Sequence, residues 1–263
     1  MKPSPARAAE EPWYFRAFER IYLEVYPHRD DDEAERHVPQ VLGLLGVKLQ
    51  GQVLDVACGA GRYARAMARR GVRVTGVDLS EDLLESAREQ SPGIPGAPTY
   101  IRWDIRDLPF RSQFDGAVSL FTSFGYFEDP ADDARLMRGV YRSLRPGGRF
   151  LVDYLNTPRV RRHLEPVTDR MTGRLCVRLE RHIEEDGPLG PRVIKQVRAT
   201  HRESGLELAS YEERVRLYTP EEVDGLLQDA GFELLGPARG SLEGDPYDAE
   251  ASPRFVRVAR RSE

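Results

Sequence analysis

Short apolar runs alternate with helix-like segments through the middle of the chain, from about residue 52 to residue 154. The apolar runs are residues 53–57, 72–78, 100–103, 114–120 and 149–154, and the segments with helical spacing are 61–70, 81–90 and 132–144. Continuous apolar strands separated by helices predict a parallel sheet that is covered on both faces. Because such crossovers are right-handed, the pattern predicts a doubly wound, Rossmann-like α/β fold.

The N-terminal part of the chain has a different pattern. Aromatic and aliphatic residues recur at helical spacing over residues 13–26, which predicts one helix with an aromatic stripe that ends at Pro27. The acids at 30–32 then provide N-cap chemistry for a second helix of about four turns. Residues 1–12 are rich in Pro, Ala and Glu, and we expect a leader there without a fixed fold.

The pattern changes again after residue 156. Apolar and polar residues alternate over 175–183, 193–199 and 211–217, with Gly- and Pro-containing segments between them. This alternation predicts an antiparallel meander of about sixty residues. A capping box at 219–222 then begins a further helix, and apolar runs at 232–235 and 255–259 predict two closing strands, the last of them antiparallel.

These patterns set the predicted domain boundaries. We expect residues 1–50 to hold the leader and lid helices. Residues 51–155 together with 219–263 are expected to form one α/β domain, and residues 156–218 an inserted antiparallel β cap.

Composition narrows the class of protein. The 263 residues are 40% hydrophobic and 31% charged, which is typical of a folded domain with a sizeable core. A net charge of −4 argues against a protein that binds the nucleic acid backbone by charge alone. The two cysteines, Cys58 and Cys176, lie far apart, so neither a disulfide framework nor a metal site is predicted. No apolar run reaches about 18 residues, so we expect a soluble, cytoplasmic protein without a membrane span. The oligomeric state does not follow from the sequence, and the expectation is a monomer or homodimer.

The strongest local signal is a strand that ends in an acid and enters a helix through a glycine turn. Asp55 lies in the strand, Gly59 and Gly61 form the turn, and Arg62 starts the helix. Glycines permit a close approach of the backbone to a ligand, and a helix start offers free N–H groups. By itself the spacing also fits a dinucleotide-binding fingerprint.

Two further acids follow the next two strands. Asp78 comes about 20 residues after the glycines, which suits a pair of ribose hydroxyls. Asp104 is followed by the apolar Ile105, a combination that can hold an adenine amino group and cover the ring.

Taken in this order, the three strand ends resemble those of the class I S-adenosylmethionine (SAM)-dependent methyltransferases, in particular the small-molecule branch. The resemblance covers about residues 52–154, and Ala57 stands where many members have glycine. It implies that the glycine turn lies beside the amino acid part of SAM, that Asp78 binds the ribose, and that Asp104 and Ile105 bind the adenine. The implied cofactor-binding residues are Asp55, Ala57, Cys58, Gly59, Gly61, Arg62, Asp78, Leu79, Asp104, Ile105 and Leu120.

Charge favours SAM over a nicotinamide dinucleotide. Asp55 would face an anionic pyrophosphate in an NAD enzyme, whereas SAM carries an ammonium and a sulfonium there. We therefore expect methyl transfer to N or O of a small-molecule acceptor. The alternatives are an RNA or protein methyltransferase, an NAD-dependent oxidoreductase, and a SAM-binding protein without turnover.

Four residues are candidates for catalysis. Phe121 and Tyr126 follow the fourth strand, at the edge of the sheet where ligands bind. Tyr22 and His28 belong to the N-terminal segment, which we expect to fold over the pocket. Aromatic faces can shelter a sulfonium by cation–π attraction, and His28 is the candidate base, which a hydroxyl acceptor needs and a neutral amine does not. The β cap is expected to cover the acceptor site.

Overall fold

The computed structural model describes residues 12–187 and 189–262, so the predicted leader lies almost entirely outside the described residues. The strands in chain order are β1 (Gln52–Val56), β2 (Arg73–Asp78), β3 (Thr99–Arg102), β4 (Phe114–Ser119), β5 (Leu144–Leu155), β6 (Val167–Thr172), β7 (Leu175–Glu184), β8 (Arg192–His201), β9 (Glu207–Arg216), β10 (Phe232–Leu234) and β11 (Arg254–Arg261). The α-helices are α1 (Tyr14–Ala17), α2 (Ile21–Val25), α3 (Asp31–Leu45), α4 (Arg62–Arg69), α5 (Glu81–Glu89), α6 (Pro130–Ser143), α7 (Thr157–His163) and α8 (Pro220–Asp229).

The larger sheet has the order β10-β11-β5-β4-β1-β2-β3. Strands β1 to β5 pair in parallel, and β11 is antiparallel to both β5 and β10. This confirms the predicted doubly wound sheet with an antiparallel C-terminal strand. The strand order reverses between β4 and β1, and a crevice forms at the carboxyl ends of the strands on either side of such a switch point.

Local sequence signals place most helix starts where they were predicted. Asp30 and Ser80 cap α3 and α5 by accepting a backbone N–H, and Thr219 caps α8 with a complete capping box. These caps stabilise helix ends whose first N–H groups have no partner within the helix.

The prediction of a single helix over residues 13–26 is wrong in one respect, because the structure has two short helices there, α1 and α2, with a break between them. The hydroxyl of Ser80 donates to the carbonyl of Phe18, and the N–H of Arg20 donates to the carboxylate of Asp82 at 3.0 Å. Both partners belong to the start of α5. Tertiary hydrogen bonds thus take backbone groups that a continuous helix would use.

The prediction also missed two elements and placed one boundary wrongly. The turn predicted at 145–148 is part of β5, which runs past it with a shift in register against β4. The short helix α7 and the strand β6 were not predicted, since neither has a clear apolar period.

The second sheet is an antiparallel meander in the order β6-β7-β8-β9. The meander of β7, β8 and β9 was predicted, and β6 adds a fourth strand at its edge. Its inner face packs against the N-terminal segment, where Val25 and Tyr26 contact Leu175, Val177 and neighbouring apolar residues. The division of the chain into a core domain and a cap stays a prediction.

Candidate active site

A cavity of about 410 Å³ lies at the carboxyl ends of the parallel strands. The lid, which we define as residues 13–29, forms one wall. Every cofactor-binding residue implied by the sequence lines this cavity except Gly61. Of the candidates for catalysis, the cavity brings together Tyr22, Phe121 and Tyr126. The other lid residues that line it include Tyr14 and Phe18, which the sequence analysis did not place among the cofactor-binding residues.

The turn after β1 has a left-handed backbone at three positions. The φ angles are +57° at Ala57, +53° at Gly59 and +72° at Gly61. For alanine this conformation costs about 1 kcal/mol, and for glycine it costs little. A Cβ at residue 61 would lie 2.4 Å from the hydroxyl oxygen of Tyr100. Gly61 is therefore required by packing behind the turn, and not by a direct approach to a ligand.

Asp55 and Asp78 make the central part of the cavity acidic. Asp55 is 3% exposed, and burial, followed by the nearby Asp78, raises its pKa to about 7. The Asp78 carboxylate accepts the N–H groups of Gly59 at 2.7 Å and Ser80 at 2.9 Å, while burial raises its pKa. This wall repels phosphate and attracts a cation, which fits the ammonium and sulfonium of SAM.

Asp104 lies at the end of the cavity beyond β3. Burial alone would raise its pKa, but hydrogen bonds from the guanidinium and the N–H of Arg106 hold that pKa below its usual value. The carboxylate is therefore ionised and remains a hydrogen-bond acceptor. The ring of Tyr14 lies near Asp104, with its edge on Phe127 at a centroid separation of 5.9 Å.

The opposite end of the cavity is aromatic and contains one unusual cation. Arg29 is partly buried and donates to the hydroxyl of Tyr22. Its guanidinium carbon lies 4.7 Å from the ring centre of Tyr26 and 5.9 Å from that of Phe121. Among the described residues, no carboxylate lies within ion-pair distance of Arg29, so an anionic group of a ligand can serve as its partner.

The hydroxyls at this end are neutral donors. Burial raises the pKa values of Tyr22 and Tyr126. The predicted base, His28, is instead at the surface and outside the cavity lining that the structure describes, with its ring 6.1 Å from that of Tyr26. Partial burial and the neighbouring Arg29 lower the pKa of His28. The structure thus separates His28 from the three aromatic candidates.

The fold and the cavity define a Rossmann-like domain with its ligand site at the switch point of the sheet. The model of a family described as "Methyltransferase domain" matches residues 53–148. The chain is 30% identical over 140 residues to the putative methyltransferase YqeM of Bacillus subtilis, with 53% of this chain and 54% of that protein covered. It thus spans about half the length of that relative.

Other comparisons extend over more of the chain. It is 29% identical over 201 residues to the dTDP-3-amino-3,4,6-trideoxy-alpha-D-glucopyranose N,N-dimethyltransferase of Streptomyces venezuelae, covering 74% of this chain and 78% of that protein. The fold resembles that of the CcbJ methyltransferase from Streptomyces caelestis, with a TM-score of 0.76 and 22% identity over 97% of this chain and 99% of that chain.

The chain carries a methyltransferase domain over residues 53–148, and the comparisons support a class I SAM-dependent methyltransferase with SAM as the cofactor. The family and cofactor predicted from the three strand ends are confirmed, and the NAD-dependent alternative is set aside. In the part of the chain that the structure describes, no helix is long and apolar enough to cross a membrane.

Proposed function

We propose that the protein transfers the methyl group of SAM to the nitrogen of a small-molecule amine. The single observation that carries this proposal is the chemistry of the cavity end formed by Tyr22, Phe121 and Tyr126. Its hydroxyls are neutral donors with raised pKa values, and no histidine of the described residues lines it. A neutral amine attacks without a base, whereas a hydroxyl usually needs deprotonation.

The cavity residues divide the binding of SAM among them in this proposal. SAM supplies an electrophilic methyl group on a sulfonium. Asp55 is the partner of the ammonium, Asp78 accepts from the ribose hydroxyls, and Asp104 with Ile105 contacts the adenine. Arg29 is the partner of the carboxylate, because it is a partly buried cation with no carboxylate of the described residues within ion-pair distance. The rings of Tyr22 and Phe121 offer cation–π shelter for positive charge.

Two further observations support a small amine acceptor. By its name, the relative from Streptomyces venezuelae methylates the amino group of a nucleotide sugar. The net charge of −4 does not favour an RNA acceptor.

An acceptor screen tests the proposal. We expect S-adenosylhomocysteine (SAH) to form with members of a panel of amino sugars and other small amines, and with none of the matched compounds that carry a hydroxyl instead. Isothermal titration should detect binding of SAM and of SAH, and no binding of NAD. Turnover of the hydroxyl compounds alone, or of peptide or tRNA alone, would contradict the proposal.

The ionisation of Asp55 should make the affinity for SAM depend on pH. Since its pKa is about 7 in the empty protein and an ammonium stabilises the ionised form, SAM binding is coupled to loss of a proton. The affinity for SAM should therefore fall as pH drops below about 7, by up to about tenfold per pH unit. Titrations between about pH 5.5 and 7.5, in buffers of different ionisation enthalpy, measure both affinity and proton release.

Asp55→Asn is the matched control for this coupling. This variant should bind SAM more weakly at neutral pH and lose most of the pH-dependence. An unchanged pH profile in the variant would assign the proton to another group.

A further inference from the structure

The loop after β4 contains two consecutive residues with a left-handed backbone, and neither is glycine. The φ angles are +60° at Phe121 and +65° at Thr122. Bulky and β-branched L-residues rarely adopt this region, because the Cβ atom comes too close to the following carbonyl. Something outside the loop must hold the backbone in this conformation.

Asp153, on the neighbouring strand β5, fixes the backbone of this loop by hydrogen bonds. Its side chain is fully buried. One carboxylate oxygen accepts the N–H of Phe121 at 2.8 Å, and its backbone carbonyl accepts the N–H of Thr122 at 3.0 Å. Each left-handed residue therefore donates its N–H group to Asp153.

Arg254, on β11, completes the arrangement. Its Nε donates to the second carboxylate oxygen of Asp153 at 2.6 Å, and its Nη2 donates to the hydroxyl of Thr122 at 2.8 Å. One carboxylate oxygen of Asp153 thus binds the loop and the other binds the guanidinium of Arg254, which fixes the orientation of the carboxylate.

The loop that this pair holds also lines the cavity, through Leu120, Phe121 and Tyr126. Neither Asp153 nor Arg254 lines the cavity. The guanidinium carbon of Arg62 lies 4.3 Å from the ring centre of Phe121. A change in the backbone at residue 121 would move a ring that faces the aromatic end of the site.

We propose that Asp153 and Arg254 are positioning residues that hold Phe121 and Thr122 in the left-handed conformation and thereby set the aromatic end of the cavity for methyl transfer. The expected effect on kcat rests on the proposed function, because it can be measured only with an acceptor. The expected effect on the conformation of the loop does not depend on the proposed function and can be tested without an acceptor.

Asp153→Asn is the first variant. The amide keeps the shape, but its NH2 group must face one of two donors, either the N–H of Phe121 or the guanidinium of Arg254. With an acceptor from the screen, kcat should fall roughly ten- to thirtyfold, while the KM for SAM changes by less than about threefold. Arg254→Gln, whose side chain is less buried, should give the same split between kcat and KM.

A second ion pair offers a matched control. Asp224 accepts from Arg257, which also lies on β11, with an Nε–Oδ1 distance of 2.6 Å. This pair joins β11 to α8, and its residues do not line the cavity. Asp224→Asn should leave kcat within about twofold of the wild type.

The conformation of the loop is followed by the fluorine NMR resonance of 4-fluorophenylalanine incorporated at residue 121. In Asp153→Asn the resonance should broaden or split, and in Asp224→Asn it should stay unchanged.

The outcomes separate this inference from the proposed function. A single unshifted resonance in both Asp153→Asn and Arg254→Gln would overturn the inference. If no amine is methylated by the wild type, the proposed function fails, and the fluorine spectra still decide whether Asp153 and Arg254 hold the loop.

Discussion

Asp78→Ala is expected to weaken the binding of SAH by about a hundredfold or more, the largest loss for any single change in the cavity. The carboxylate accepts the N–H of Gly59 and the N–H of Ser80, and in the proposed mode it also accepts from the ribose. A hydrogen bond to a charged group contributes about 1.5–3 kcal/mol. The variant loses its contacts with the ligand and also the hydrogen bond that fixes Gly59 in the turn. Isothermal titration with SAH measures the loss without methyl transfer.

A control separates this effect from a general loss of charge. Asp107 is exposed and pairs with Arg135, away from the cavity lining. Asp107→Ala should leave the affinity for SAH within about twofold, because exposed ion pairs contribute little. An affinity in Asp78→Ala within about threefold of the wild type would contradict the assignment of Asp78 to the cofactor.

Arg29→Met is expected to weaken SAM binding by about a hundredfold, since removing one partner of a buried ion pair costs about 2–5 kcal/mol. In the absence of ligand, no carboxylate of the described residues lies within ion-pair distance of this partly buried guanidinium, and Glu213 stabilises its charge only from farther away. The thermal stability of the empty variant should therefore be equal to or higher than that of the wild type. Titration calorimetry and thermal unfolding, with and without SAM, measure the two opposite effects.

A ligand without the carboxylate tests the pairing directly. Decarboxylated SAM should bind the wild type and Arg29→Met with similar affinity, because it lacks the anion that Arg29 would hold. Arg170 also lies over the ring of Tyr26, at 5.0 Å, but it does not line this cavity. Arg170→Met should leave SAM affinity within about threefold. An equal loss for both ligands in Arg29→Met would assign another role to Arg29.

Much of the fold was predictable because its determinants are local. The parallel strands contain short apolar runs, and Asp30, Ser80 and Thr219 mark helix starts by chemistry that acts within one turn. The same holds for the three strand ends. Since the carboxyl ends of parallel strands meet at one edge of the sheet, Asp55, Asp78 and Asp104 had to come close together.

What the sequence did not predict depends on long-range contacts. The interruption of the lid helix follows from Ser80 and Asp82, which are some sixty residues away along the chain. The hydrogen bond from the N–H of Phe121 to the carboxylate of Asp153 depends on the pairing of β4 with β5. His28 has the right chemistry for a base, but the lid places it at the surface, and no local pattern sets that orientation.

The interrupted helix of the lid also determines how easily the cavity can open. The carbonyl of Phe18 and the N–H of Arg20 are bound to α5 while the lid is closed. If the lid leaves α5, both groups become available to bond along their own segment, where the sequence already favours a helix. The hydrogen bonds lost between the two elements are then offset by bonds within the lid. If a ligand enters by this motion, the backbone groups of Phe18 and Arg20 exchange one set of partners for another and are not left without a hydrogen bond.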